Sequence, residues 1–556
     1  MKLISKFKKY LPIILILLVA FILRFWRLGD YPALNADEAA IGYNAYSLIE
    51  TGKDEHGNSW PIHFQSFNDY KPGLYVYLVL PFIKFFGLNE WSVRIPGAFF
   101  GVLTVWLVYL LIKELFANQK DQLINSNYHL LATVSAFMLA ISPWHIHFSR
   151  GGWEVGVATF FMVLGLYLFL KGIKNNLPLL MLSAVSFALS LYTYHAARVV
   201  VPLLGLGLTF NYRNLIGKNF KSIALAALVG LVAILPLIKD LTKSDVASRA
   251  AGVGLFADTG PLSRINEQRG EHVDLTSPLA IILHNKVANY GLAFLENLSE
   301  HFQGEFLFLS GEAIQRNKVP EVGQMYVFAF PLLLIGFWLI FKNPKGWGII
   351  LWWIVIAPTA AALTFQSPHA LRSQNMVIPL EIVSAFGLTF LLGKISQLRT
   401  KKLKYLLFTI FSILILWNFS KYIDSYWRHM SRALVYSSQY GVKELAKYIE
   451  NNNEGYENIL ITDRYDQPYI LMLFYLKYSP SDFQNDHVLT PRDNFGFSTV
   501  RTFGKFKFKE INWDIDQPLF PNSLIAGTDE EIPDEANIIE EIYGTNGYKY
   551  FEVVEN

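Results

Sequence analysis

Apolar stretches long enough to cross a membrane recur along most of the chain, separated by short polar segments. A membrane-spanning helix needs about 20 apolar residues, and the pattern predicts eleven such helices. The sequence therefore predicts a mainly α, polytopic membrane helix bundle. The predicted spans are 11–28, 95–116, 129–147, 153–170, 177–192, 198–211, 222–239, 325–341, 346–364, 375–393 and 404–420.

A twelfth apolar run, residues 73–87, is short and contains Pro81 and Lys84. If it lies on the membrane surface as a juxtamembrane helix, the basic N-terminus and all the strongly basic loops fall on one side, as the positive-inside rule requires. If it crosses, that agreement is lost. We therefore expect a cytoplasmic N-terminus and an extracytoplasmic C-terminus. The basic loops are KELFANQK, KGIKNN, NYRNLIGKNFK, FKNPKG and GKISQLRTKKLK.

Three extracytoplasmic pieces are long: residues 29–94, 240–324 and the tail from 423. The tail has about 130 residues, enough for a small domain, and we divide the chain into a transmembrane domain (1–422) and a C-terminal domain (423–556). Within the tail, NILITD and LIAG read as buried strands and SRALVYSSQYGVKELAKYIENN reads as a helix. The tail is therefore predicted to be a small α/β domain.

Composition narrows the chemistry further. Hydrophobic residues make up 52% of the chain, which fits a membrane protein, and the absence of cysteine excludes disulfides, thiolate catalysis and cysteine metal sites. The tail carries 12 Lys and Arg against 22 Asp and Glu, so the membrane part is the basic one. We expect membrane lipids as partners and no nucleic acid.

Two adjacent carboxylates, Asp37 and Glu38, stand at the start of a predicted helix in the first external loop. Asn35 is a suitable N-cap, and ADEAAIGYNAYSLIET reads as a helix that ends at Gly52. Acidic residues in the first turn stabilise a helix, and Glu38 stands where a capping box needs it. The pair therefore has both a structural and a functional interpretation.

Other ionisable residues near span ends fall on the same predicted outer face, which favours the functional interpretation. Charged groups at membrane depth are costly and commonly mark a site, although the arginines could instead reach lipid headgroups. Carboxylates beside several cations fit a lipid-phosphate substrate: cations bind the phosphate and a carboxylate accepts a proton from an incoming hydroxyl. These residues are Lys71, Arg94, Arg150, Glu154, His195, Arg198, His369 and Arg372.

The segments NADEAAIGYNAYSLIETG, DYKPGLYVYLVLPFIKFFGLNEWSVRIPGAFFG and ISPWHIHFSRGGWEV resemble bacterial C-type glycosyltransferases of family 39. This group contains protein O-mannosyltransferases and aminoarabinose transferases. The resemblance implies inverting transfer of a sugar from a polyprenyl-phosphate donor to a hydroxyl-bearing acceptor. It also implies a plasma (inner) membrane location, with the active site on the outer face and juxtamembrane helices in the first external loop.

The resemblance also assigns roles to individual residues. Asp37 matches the catalytic carboxylate and Glu38 its neighbour, and Lys71 matches the lysine that meets the lipid phosphate. Glu154 stands where relatives often have Asp, so its part as a second acid is less direct. We expect no required cofactor, although Asp37 and Glu154 could bind a divalent metal ion.

Three other functions fit the same residues. A lipid or sugar transporter would use the charges to line a pathway, but it should carry polar groups at several depths and paired broken helices. A ligase or polymerase of lipid-linked glycans would use similar cations. A metal-dependent oligosaccharyltransferase would use the carboxylates as ligands, but an Asp-x-Asp motif is missing at 150–156.

Overall fold

The computed structural model describes residues 2–67, 69–117, 128–243, 252–493 and 497–556, and gives only the backbone of 2–9. It confirms the predicted fold class, a membrane bundle of helices with a small α/β region at the C-terminus. The end of the basic loop KELFANQK, residues 118–120, lies outside the described residues.

Each predicted span contains an apolar helix, although the spans 129–147 and 346–364 are each divided between two helices. Six helices among the described residues are long and apolar enough to cross a membrane, and several shorter apolar helices accompany them. The helices that match the predicted spans are Lys2–Phe25, Glu90–Phe116, Tyr128–Ile141, Glu154–Gly172, Leu177–Thr193, Ala197–Lys218, Phe220–Leu241, Ala329–Lys342, Gly348–Ile356, Val377–Ser396 and Lys401–Asp424.

The outer surfaces of these helices carry the exposed apolar side chains expected of a protein in contact with lipid. Leu228, Leu231 and Leu235 of the helix Phe220–Leu241 are each more than half exposed, and water would disfavour such an apolar stripe. In a bilayer an apolar face costs nothing, and the helix satisfies its own backbone polar groups. The chain is a multi-pass membrane protein.

Glycines allow two of the apolar helices to pack closely. A Cβ atom on Gly336 would lie 2.2 Å from the carbonyl oxygen of Val383, and one on Gly387 would lie 2.1 Å from that of Leu332. Only a residue without a side chain fits at either position, so the helices Ala329–Lys342 and Val377–Ser396 approach backbone to backbone. Small residues play this part in membrane bundles, where helices associate by close packing.

The remaining helices are shorter and lie mainly in the external pieces and the tail. Among them is Leu74–Phe86, the twelfth apolar run, whose 13 residues give a length of about 20 Å, less than the hydrocarbon core of a bilayer. The others are Ala36–Thr51, Pro143–His147, Gly260–Gly270, Pro278–Leu283, Lys286–Glu300, Thr359–Ala362, Met430–Ala433, Val435–Ser438, Gly441–Asn452, Pro468–Tyr475, Pro480–Asp486 and Trp513–Leu519. Short 3₁₀ or π turns span Leu255–Ala257, Glu305–Leu309, Gln315–Asn317, Gln374–Met376 and Ser425–His429.

The described residues form eight strands in two sheets. In the first loop β1 and β2 form an antiparallel hairpin, and in the tail six strands pair in the order β4-β5-β3-β6-β8-β7. The two predicted strands, NILITD and LIAG, are β3 and β6 at the centre of this sheet, where they pair in parallel. The strands are β1 His63–Ser66, β2 Asp69–Pro72, β3 Asn458–Ile461, β4 Thr502–Phe503, β5 Phe506–Phe508, β6 Ser523–Gly527, β7 Ile538–Tyr543 and β8 Lys549–Glu555.

The helix predicted over SRALVYSSQYGVKELAKYIENN is interrupted. Its first half forms the short helices Met430–Ala433 and Val435–Ser438, the second of which ends at Gln439, where the backbone is left-handed with φ of 51°. Its second half is the regular helix Gly441–Asn452. The side chain of Gln439 accepts a hydrogen bond from the N–H of Ala36 at 3.0 Å and donates one to the carbonyl of Asp466. These two hydrogen bonds to residues distant in the chain fix the position of Gln439 where the helix is interrupted.

The described chain forms two compact units. The first contains Met1–Arg24, Phe100–Phe148 and Glu154–Ile423, and the second contains Phe25–Phe99, Ser149–Trp153 and Asp424–Asn556. The second unit thus joins the first external loop to the tail. The predicted division of the chain at residues 422 and 423 stays a prediction.

Candidate active site

The first external loop begins with the helix Ala36–Thr51, and both of its ends form as predicted. The Asn35 side chain accepts a hydrogen bond from the N–H of Glu38 at 3.0 Å, and Glu38 Oε2 accepts one from the N–H of Asn35 at 3.3 Å. These two bonds form a capping box. Gly52 ends the helix in a left-handed conformation with φ of 72°. Asp37 and Glu38 are therefore both held in the first turn.

Glu38 is buried and fully engaged. Its Oε1 accepts from Arg94 Nε at 2.7 Å and from the N–H of Gly152 at 2.8 Å, while Oε2 accepts from Arg94 Nη2 at 2.8 Å. Only 1% of the residue is exposed. Together with the capping box, these contacts occupy both carboxylate oxygens. The geometry therefore favours a positioning role for Glu38 over the predicted direct role in catalysis.

Arg94 is the other half of this buried pair. The Nη1 group donates to the carbonyls of Leu28 and Pro32, and Nη2 donates to that of Ala33. With the two bonds to Glu38, all five N–H groups of the guanidinium have partners. Because Arg94 is wholly buried, it does not fit the predicted contact with a lipid phosphate. Arg94 instead fixes the chain between the first span and the helix Ala36–Thr51.

Arg150, which the sequence analysis predicted to bind the donor, is also buried. Its Nε donates to the hydroxyl of Tyr426 at 2.9 Å, and Nη2 donates to the carbonyls of Trp26 and Tyr31. The Trp427 ring lies 4.9 Å from its guanidinium carbon. Arg150 therefore joins the first external loop to the start of the tail.

Asp37 differs from its neighbour because it faces the surface. Its carboxylate forms an ion pair with the ammonium of Lys71, and the side chains are 28% and 14% exposed, respectively. Lys71 stands on β2, opposite Phe64, and lies 5.1 Å from the centre of the Phe67 ring. Strand β2 and the first turn of the helix thus bring together the two residues that the resemblance assigned to catalysis and to the lipid phosphate.

A second carboxylate, Glu55, lies buried near this pair, and the sequence analysis missed it. Its Oε1 accepts from the Asn44 side chain at 3.1 Å, its N–H donates to Asn44 Oδ1 at 3.0 Å, and Oε2 is buried without a partner among the described residues. Burial raises the pKa of Glu55 to about 8, although the positive charge of Lys71 opposes the shift. Nothing in KDEHG distinguishes this carboxylate from a solvated one.

The other predicted site residues belong to the first unit. Glu154 is half-buried in the first turn of the helix Glu154–Gly172. Arg198 Nη1 lies 3.0 Å from His195 Nδ1 at the junction of two apolar helices. His369 is buried. Arg372 is half-buried and donates a hydrogen bond to the hydroxyl of Thr364 at 2.7 Å.

Glu312, a further buried carboxylate that the sequence analysis missed, lies beside His369. Its Oε2 is 3.7 Å from His369 Nδ1, and its Oε1 accepts from the N–H of Ala370 at 2.9 Å. Burial raises the pKa of Glu312 to about 8, against the opposing charges of Arg372 and Arg316. The local sequence LSGEAIQRN gives no sign of this burial, since His369 and the backbone of Ala370 lie about 60 residues away along the chain.

No group of three or more His, Asp or Glu side chains within the described ranges is arranged to hold a metal ion. Asp37 and Glu154, the two carboxylates that the sequence offered as ligands, belong to different units.

Sequence relatives cover parts of the chain. A family model described as dolichyl-phosphate-mannose-protein mannosyltransferase matches residues 70–239, a segment that holds Lys71 and Glu154 but begins after Asp37. The Bacillus subtilis (strain 168) protein YkcB, whose name places it among mannosyltransferases, is 30% identical over 99 residues. That match spans 18% of this chain and 12% of YkcB.

Comparison with solved structures identifies the fold of the chain. ArnT from Cupriavidus metallidurans, in its apo state, matches with a TM-score of 0.53 and 12% identity over 99% of this chain and 97% of that one. The chain has the GT-C fold. A second GT-C structure, the apo oligosaccharyltransferase of Archaeoglobus fulgidus, matches with a TM-score of 0.52 and 13% identity over 85% of this chain. The match covers 64% of that longer protein. The resemblance drawn from the sequence is thus confirmed at the level of the GT-C fold.

Proposed function

We propose that this chain is an integral-membrane glycosyltransferase that moves a sugar from a polyprenyl-phosphate donor to a hydroxyl group of an acceptor. The observation that carries the proposal is the surface-facing Asp37–Lys71 pair, set beside a buried Glu38–Arg94 pair that holds it in place. The family description names a dolichyl-phosphate sugar. Two GT-C structures, of ArnT and of the archaeal oligosaccharyltransferase AglB, are described with undecaprenyl phosphate and dolichol-phosphate, respectively.

In the proposed reaction the acceptor oxygen attacks the anomeric carbon of the sugar. The bond between that carbon and the phosphate oxygen breaks, the polyprenyl phosphate leaves with the electron pair, and the acceptor proton passes to the Asp37 carboxylate. A positioned carboxylate can accept this proton as the new bond forms. A single displacement inverts the configuration at the anomeric carbon.

Lys71 has the donors needed to serve both partners. An ammonium group has three N–H donors, and one of them binds Asp37, so the others can bind a phosphate oxygen and stabilise the charge of the leaving group. The sequence analysis also predicted His195, Arg198, His369 and Arg372 as donor-binding residues and Glu154 as a second acid. These residues belong to the first unit, and their roles stay predictions. Glu38, Arg94 and Arg150 are left as positioning residues.

The proposed reaction takes place on the outer face of the plasma (inner) membrane, with the N-terminus in the cytoplasm. The support is the distribution of basic loops described above. We assign residues 1–422 to the transferase domain and 423–556 to an extracytoplasmic domain. Protein, lipid and cell-envelope glycan all carry suitable hydroxyl groups for the acceptor.

The experiment that tests the class of activity is mass spectrometry of envelope glycans, glycolipids and glycoproteins with and without the protein. It should be combined with transfer assays on purified protein in nanodiscs, using a panel of undecaprenyl-phosphate sugars. The proposal expects loss of a single sugar modification in cells and formation of polyprenyl phosphate in vitro. Movement of an intact sugar lipid across the bilayer without cleavage would support a transporter instead. Transfer from a diphosphate-linked glycan alone would support a ligase or polymerase.

A further inference from the structure

A cavity of about 620 Å³ lies within the second unit, between residues 27–34 of the first loop and residues 427–444 of the tail. A volume of this size is typical of small-molecule sites. Its lining is polar and strongly charged, with aromatic rings from Tyr31, Trp427 and Tyr440. Asp37 and Lys71 are not among its lining residues, so the cavity does not include the pair proposed for catalysis.

Chain connectivity places this cavity close to the membrane surface. Residues 27–34 follow directly on the apolar helix Lys2–Phe25, and residues 427–432 follow directly on the apolar helix Lys401–Asp424. Trp26, between the first helix and the cavity, is 64% exposed, as suits an aromatic residue at the level of lipid headgroups. A ligand of the cavity can therefore be attached to a lipid.

Two arginines of the lining lie on one helical turn. Arg428 and Arg432 are four residues apart in the helical segment formed by Ser425–His429 and Met430–Ala433, so their side chains are neighbours. Both are exposed. Two like charges at this spacing destabilise a helix unless an anion lies between them. They also stand on the face that the positive-inside rule predicts to be poor in arginine.

The acidic groups of the lining do not neutralise these arginines. Glu90 pairs with Lys443 at 2.6 Å, and Asp30 lies 3.7 Å from Arg27. Burial raises the pKa of the third carboxyl, Glu444. A higher pKa favours the neutral form of this group, which repels a bound anion less.

Outside the lining, Arg428 has one ion pair, with Asp424 at 3.3 Å. This pair is exposed to solvent and is therefore weak. Arg432 has no hydrogen-bond or ion-pair partner among the residues that the structure describes. The two guanidinium groups therefore remain available to a ligand.

We propose that this juxtamembrane cavity binds a phosphate group through Arg428 and Arg432. Guanidinium groups bind phosphate oxygens through two parallel N–H donors, and the remaining volume accommodates the polyol or sugar that the phosphate carries. The phosphate belongs either to a membrane lipid headgroup or to a soluble phosphate ester. The site does not depend on the proposed transferase activity.

The test uses the full-length protein in a neutral detergent and follows its midpoint of thermal unfolding. The probes are phosphatidylglycerol, glycerol 1-phosphate and, as a lipid without net charge, phosphatidylcholine. We expect a saturable rise of the midpoint with an anionic probe. In Arg428→Gln/Arg432→Gln the half-saturating concentration should rise about tenfold or more, because charge-assisted hydrogen bonds are lost. A response to phosphatidylglycerol alone identifies a lipid as the source, and an equal response to glycerol 1-phosphate identifies a soluble ester.

The matched control is Lys447→Gln/Lys477→Gln, which removes the same charge from two exposed positions of the second unit that do not line the cavity. Its half-saturating concentration should stay within about twofold of the wild-type value. An equal change in both double variants, or no saturable response of the wild-type protein to either anionic probe, would overturn the proposal. If the arginine double variant does not fold, Arg432→Gln alone is compared with Lys447→Gln by the same criterion.

Discussion

The buried Glu38–Arg94 pair predicts that the two adjacent carboxylates respond very differently to the same substitution. Glu38→Gln keeps the shape of the side chain but replaces one oxygen by an NH₂ group. Arg94 Nη2 and the N–H of Asn35 both donate to Oε2, so an amide nitrogen there would face two donors. If the amide turns around, its nitrogen faces Arg94 Nε and the N–H of Gly152 instead. Either orientation leaves Arg94 as a buried cation without its counter-ion.

The expected cost follows from this burial. Breaking a buried ion pair by removing one partner costs about 3–5 kcal/mol, whereas a part-exposed pair such as Asp37–Lys71 contributes about 0–1 kcal/mol. For a unit of this size, about 3 kcal/mol corresponds to a fall in the unfolding midpoint of roughly 6 °C or more. Asp37→Asn should lower the midpoint by no more than about 4 °C.

The assay is limited proteolysis over a temperature series in detergent, which reports unfolding of the first external loop. The double variant Glu38→Gln/Arg94→Met should be less destabilised than the sum of its single variants, since it removes both charges. Equal midpoints for Glu38→Gln and Asp37→Asn would refute the positioning role of Glu38 and the structural argument that separates the two carboxylates.

Three further outcomes are expected. Lys71→Ala should lower kcat/KM for the lipid donor about tenfold to a hundredfold, because a charge-assisted bond to phosphate is lost, while the exposed Lys53→Ala should leave it unchanged; equal values in both variants would remove Lys71 from the site. Because burial raises the pKa of Glu55 to about 8, this carboxyl is protonated in the folded protein and ionised in the unfolded chain between about pH 5 and 8. The free energy of unfolding therefore falls as the pH rises through this range. Glu55→Gln should remove up to about 1.4 kcal/mol of this fall per pH unit, and unfolding curves with the same pH dependence in both proteins would contradict the burial of Glu55. A reporter fused after Lys345 should be cytoplasmic and one fused after Gly441 extracytoplasmic, and the opposite result at both would mean that residues 73–87 cross the membrane.

Local patterns in the sequence were sufficient for the elements whose causes are local. The eleven apolar runs appear as helices because each one satisfies its own backbone and needs only an apolar surface. The helix Ala36–Thr51 forms with the predicted cap and end, since Asn35, Glu38 and Gly52 act within a few residues of each other. The central strands β3 and β6 were likewise recognisable as short buried runs.

Long-range contacts explain what the sequence could not reveal. Arg94 and Arg150 carry the same charge as an exposed arginine, and only their partners, which are tens to hundreds of residues away, make them buried structural groups. The same holds for Glu55 and Glu312, because no local sequence pattern predicts that they are buried. The Asp37–Lys71 pair came from the family resemblance rather than from spacing, because 34 residues and a hairpin separate the two.

The most direct test of the proposed function is the rate of sugar transfer by Asp37→Asn in nanodiscs, measured together with donor binding. Asn keeps the size of the side chain but cannot accept the acceptor proton, so turnover should fall about a hundredfold to ten-thousandfold. The cations around the phosphate remain, so donor affinity should stay within about tenfold of the wild-type value. Transfer at a near wild-type rate by a folded Asp37→Asn protein would contradict the assignment of Asp37 as the catalytic base.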